Sequence, residues 1–121
     1  APHEATELMI AYAYDTIARG NPVGFFGMVL VLEGTSVALA TRAAETIETT
    51  LGLPRSAFSY LRSHGDLDIE HTGFYEQLMN RLDDEDDRRA VIHAAKRFYR
   101  LYSDIFRGLR DDRTPVLEAA A

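Results

Sequence analysis

Two breaker triplets, Gly20-Asn21-Pro22 and Gly52-Leu53-Pro54, cut this chain into segments that read as long helices. Proline lacks the amide donor that a helix interior needs, and glycine suits the left-handed position just past a helix end. Residues 3–19 form the first segment, with Ala5, Leu8, Met9 and Tyr12 on one side. Glu4 and Glu7 lie near its start, where the helix dipole favours carboxylates. Residues 23–51 form a longer helix with Phe26, Leu30, Val37 and Ala40 on one face, and Glu33 on that same face. The β-branched content around Val29–Val31 would suit a strand, but no partner strand is visible elsewhere, so length and context select helix. Residues 55–81 hold the third helix. Gly65 inside it costs up to ~1 kcal/mol against Ala, which marks Ser63–Gly65 as the place for a kink or break. His64 would then stand in the first turn of a new helix. The acidic turn Asp83–Asp87 leads into a fourth helix over 84–109, buried along Val91, Ala95, Phe98, Tyr102, Ile105 and Phe106. His93 falls off that side and reads as an exposed histidine. Residues 110–121 read as a tail, so the expectation is an all-α four-helix bundle in a single domain over 1–121, with its core at 3–109.

At 121 residues the chain is one domain at most, and a hydrophobic fraction of 46% argues against disorder throughout. The formal charge is −6, with no basic cluster to track a phosphate backbone, which speaks against a nucleic-acid partner. The chain has no cysteine, which excludes a disulfide framework, a thiolate metal site and a cysteine nucleophile. The start, Ala1-Pro2-His3-Glu4, is no signal peptide and is not a methionine, so a processed or cut chain is expected. The most apolar run, Pro22–Leu32, is too short to span a membrane and is followed at once by Glu33. The expected setting is cytoplasmic, without a membrane partner.

The chemistry concentrates between Ser63 and Phe74. His64, Asp68 and His71 stand at i, i+4 and i+7, one stripe of a 3.6-residue helix. Two imidazoles and a carboxylate on one stripe suit a divalent transition metal, with coordination positions left open. Tyr75 continues the stripe and could hydrogen-bond a ligand, whereas Glu76 falls off it. Leu67, Phe74 and Leu78 lie beside it, so the stripe is expected to border the core. The competing reading is an ordinary solvated helix face. Glu33 adds a carboxylate in the middle of the most apolar helix, costly unless it is paired, protonated or bound to a metal. Either an Arg or Tyr from a neighbouring helix holds it, or it is a ligand projected into the bundle, possibly a bridging one.

The segment Leu30-Val31-Leu32-Glu33-Gly34-Thr35, followed by His64-x3-Asp68-x2-His71, resembles the C-terminal half of the heme-oxygenase-like diiron oxidases. In that family a helix bearing a Glu ligand precedes a helix bearing this His, Asp and His pattern. The 31 residues from Glu33 to His64 fit its interval. The resemblance covers residues 3–109 and implies Glu33, His64, Asp68 and His71 as ligands of non-heme iron, with two ions in the full site. The family also carries an earlier Glu and His in an N-terminal half, and nothing upstream of Glu33 supplies that pair at the expected distance. The missing ligands would come from a removed N-terminal half, a separate chain or a second copy. A ferritin-like site, with two Glu-x-x-His pairs, fits less well, and thiaminase-type members of the fold need a cysteine that is absent here.

The function this implies is a non-heme iron oxidase or oxygenase that uses O2 and a small organic substrate. Its rivals are a cofactor-free oxidase of the same fold, similar to the pyrroloquinoline quinone synthase, and a non-catalytic helical interaction module. The chain is expected to pair with a copy of itself or with a missing N-terminal segment, because four helices leave apolar surface uncovered.

Overall fold

Helix-favouring segments between the glycine and proline breakers become four α-helices: α1 (Glu4–Ala18), α2 (Phe26–Leu51), α3 (Ser59–Met79) and α4 (Glu85–Asp111). The computed structural model describes residues 2–111, apart from the side chains of 65–70, 110 and 111. No strand occurs among the described residues, and the class is all-α. Short 3₁₀ turns, Pro22–Phe25 and Arg55–Phe58, lead into α2 and α3. They place the chain reversals where proline fixes the backbone angle without requiring an amide donor.

The chain divides into two compact units, Ala1–Met28 with Asp86–Ala121, and Val29–Glu85. In the first, α1 and α4 meet through the Tyr12 and Phe98 rings, 4.8 Å between centroids and tilted by 54°. Phe98 is fully buried, and Val91 and Ala94 on the same side of α4 are buried with it. Thr16, one turn beyond Tyr12, is also buried and donates its hydroxyl to the Tyr12 carbonyl at 2.8 Å. The start of α2 approaches α4 closely at Gly27. A Cβ there would stand 2.5 Å from the Ala95 amide nitrogen and 2.6 Å from the Val91 carbonyl oxygen, so only glycine fits. Asn21 ties this corner together: its side chain accepts from the Val23 amide at 3.0 Å and donates to Asp87 at 2.7 Å. A groove of about 310 Å³ lies at the other end of this unit, between His3, Glu4 and Leu8 of the α1 end and Asp104 and Arg107 of α4.

In the second unit, two cross-helix pairs fix the arrangement of α2 and α3. Glu33 faces His71, and Glu48 faces Arg62. The partner numbers fall on α3 as they rise on α2, so the two helices form an antiparallel hairpin. Phe58 is buried at its turn.

Several expectations are corrected here. The α3 helix runs unbroken through Gly65, and His64 lies in its second turn. One interior glycine costs only ~1 kcal/mol, too little to stop a helix whose reversal is already made at Pro54. Gly52, with φ of 62°, takes the left-handed position; Gly20 does not, because Asn21 caps the following turn instead. On α2 the buried positions are Gly27, Val31, Ala40 and Ala44, while Leu30 and Val37 are exposed. Leu8 on α1 and Phe106 on α4 are exposed as well. Periodicity finds a helix's apolar arc, and only packing selects which part of the arc is covered. The segment Pro22–Leu51 is long and apolar enough to cross a membrane by length and composition alone, which the short run Pro22–Leu32 does not convey; 22% of its apolar window is buried, and both core helices and signal segments meet the same criterion.

Candidate metal centre

Glu33 and His71 are brought together across the hairpin, with Glu33 Oε1 3.7 Å from His71 Nδ1. That is too long for a hydrogen bond and is an ion pair when the imidazole is protonated. The Glu33 side chain is 30% exposed and His71 55%, so Glu33 is half-buried instead of sunk in the core. Phe74, expected beside the core, is 69% exposed. The stripe therefore borders open surface on this side.

Tyr75, one turn beyond His71, is half-buried. Burial pushes its hydroxyl above the ordinary value of 10.0, and the Glu33 carboxylate pushes it the same way. The tyrosine is therefore a neutral hydrogen-bonding group at physiological pH, placed in the field of Glu33.

His64 is oriented by its own helix. Its ring stacks on Tyr60, 4.0 Å between centroids, and Nδ1 lies 3.0 Å from the Tyr60 carbonyl oxygen and 3.4 Å from Ser63 Oγ. With Nδ1 donating to that carbonyl, Nε2 carries the lone pair and is the nitrogen presented to a ligand, the arrangement found in metal-binding histidines. The side chain of Asp68 lies outside the described residues. Among the described residues no group of three or more His, Cys, Asp or Glu side chains is gathered around one point.

Glu33 and His71 are spaced as two ligands of one ion would be. Two donors bonded to one ion at ~2.1 Å stand ~3.0 Å apart at right angles and at most ~4.2 Å apart in line. The observed 3.7 Å lies inside this range. The donor set is a carboxylate oxygen and an imidazole nitrogen, which iron accepts, as do other divalent first-row metals.

The pair of Arg62 and Glu48, 2.5 Å apart, was not apparent from sequence. Both side chains are largely covered, at 18% and 28% exposed. Arg62 Nε and Thr35 Oγ1 are buried without a hydrogen-bond partner among the described residues. The sequence signal would have been the hairpin register, since pairing Glu33 with His71 carries α2 past Glu48 opposite the start of α3.

Residues 1–103 match the family described as iron-containing redox enzyme. The chain belongs to that family. The match contains Glu33, His64, Asp68, His71 and Tyr75, and spans α1, α2, α3 and most of α4. Membership accords with the expected all-α class, with likeness to part of the heme-oxygenase-like fold, and with iron and redox chemistry. No curated protein and no solved structure matches the chain.

Proposed function

We propose that this iron-containing redox enzyme is a non-heme oxidase or oxygenase of a small organic substrate. In this reading Glu33, His64, Asp68 and His71 are iron ligands, and the site is cytoplasmic and takes two ions. The observation that carries it is the approach of Glu33 to His71 from two different helices, at a spacing that one ion can bridge. His64 and His71 are seven residues apart, or ~10 Å along the helix axis. They therefore serve two stations, with Asp68 between them in sequence, which favours two ions over one. Bound iron would supply the redox chemistry with O2.

The chain's own residues set the conditions for it. Glu33 brings negative charge that offsets the metal's, and it sits half-covered, where a carboxylate can change its mode of binding with little repacking. Tyr60 orients His64 through its backbone carbonyl. Tyr75 stays protonated and can donate a hydrogen bond to a carboxylate or a bound substrate. The exposed rings and side chains of Phe74 and Leu30, each three residues from a ligand, give the site an apolar border. That border suits an organic substrate with an apolar portion. Anaerobic titration with ferrous iron tests the reading: wild type should bind and His71→Ala should bind far less. Equal binding by both would sink the assignment.

A further inference from the structure

Tyr60 and His64 stand one turn apart on α3, and their rings stack with 4.0 Å between centroids and 30° between planes. Core packing does not account for this tyrosine. Tyr60 is 68% exposed, so its ring adds little to the interior of the hairpin. What the ring does cover is one face of the half-buried His64 imidazole.

The hydrogen bonds around His64 leave one freedom open. Nδ1 lies 3.0 Å from the Tyr60 carbonyl oxygen, and Ser63 Oγ donates to that same carbonyl at 3.0 Å. A bond at Nδ1 pins one atom of the imidazole. The ring can still tilt about that atom, because the χ2 torsion of histidine is broad. The Nε2 lone pair lies in the ring plane, so any tilt swings the direction in which a bound metal must lie. A flat ring laid against the imidazole face opposes the tilt.

We infer that the Tyr60 ring positions His64 by setting the plane of its imidazole, and so aims Nε2 at the metal. The inference rests on the reading of His64 as an iron ligand. Tyr60 touches neither ion nor substrate in this role; it acts through the histidine. One residue supplies two restraints, the tautomer through its carbonyl and the plane through its ring, and substitution removes only the second.

Two measurements test this. In the metal-free protein, NMR should find the His64 ring protons, assigned by their loss in His64→Ala, shifted upfield by the ring current of Tyr60. Tyr60→Phe should keep that shift and Tyr60→Ala should abolish it. Anaerobic titration with ferrous iron should give Tyr60→Phe the wild-type dissociation constant. Tyr60→Ala should show one ~3–10-fold higher, the scale of leaving one side chain to be ordered by its ligand. Alanine favours helix more than tyrosine does, so circular dichroism of that variant should keep the wild-type helix content. If it does not, Tyr60→Leu, which keeps bulk without a ring current, provides the same reading. Unshifted His64 protons in the wild type overturn the proposal, and so does Tyr60→Ala protein that binds iron as tightly as wild type. Wild-type protein that keeps the shift but binds no iron overturns the iron reading itself, and the role of the stack with it, so the two failures are told apart.

Discussion

Glu33 Oε1 stands 3.7 Å from His71 Nδ1, so an acid and an imidazole that are far apart in sequence face each other across the α2–α3 hairpin. Two donors so placed can share one ion, since the separation lies inside the span that bonds of ~2.1 Å allow. The His71 side chain is 55% exposed.

Metal content follows from this pair. Protein produced with supplemented iron should carry it, and His71→Ala should lose most of it. Elemental analysis of the two proteins side by side is the measurement. Metal bound equally by both would show that His71 is no ligand.

Glu33→Gln separates a ligand from a structural ion pair. The Glu33 side chain is 30% exposed, so solvent screens its interaction with His71, and the pair contributes at most ~1 kcal/mol to stability. The variant should therefore melt within a few degrees of wild type while losing iron. A large fall in Tm with iron retained would instead make Glu33 a structural residue.

Tyr75 predicts a late ionisation. Its folded hydroxyl titrates above 10.0, first because of burial and then because of Glu33. A raised value in the folded state means that its stabilising contribution is complete below pH 10 and is lost as pH rises through the folded value. Absorbance titration near the tyrosinate band should show a phase above the ordinary tyrosine range, absent in Tyr75→Phe. A Tyr75→Phe curve that superimposes on wild type would contradict the assignment.

Gly27→Ala tests the close crossing of α2 on α4. The new methyl would fall 2.5 Å from the Ala95 amide nitrogen, and backbone must move to admit it. A destabilisation of ~1–3 kcal/mol is expected from overpacking, read as a lowered denaturant midpoint. Unchanged stability would mean that the helices separate at no cost.

Arg62→Met should also destabilise, by ~1–2 kcal/mol after discounting for partial exposure, because Glu48 would be left half-buried without its partner. The double variant Arg62→Met, Glu48→Gln should recover part of the loss. If the double variant is no more stable than the single, the pair is not what holds these positions.

The sequence by itself determined the helices. The breaker triplets, the spacing of apolar residues and the first-turn carboxylates set four segments; the second and third start three and four residues ahead of the observed α-helices, where 3₁₀ turns precede them, and the other ends fall within two residues of those observed. These are local properties: a turn closes or a helix propagates through residues three and four positions apart. The stripe of His64, Asp68 and His71, and the family resemblance it carries, were legible for the same reason. Tertiary structure decided what those helices cover. It left Leu30, Val37, Phe74 and Phe106 exposed, it half-covered Glu33, and it paired Glu48 with Arg62. An amphipathic helix offers an apolar arc wider than any one neighbour can bury, so periodicity names the candidates and only the neighbour's position selects among them. The meeting of Glu33 with His71 depends on the hairpin's register, and no local rule along either helix encodes it.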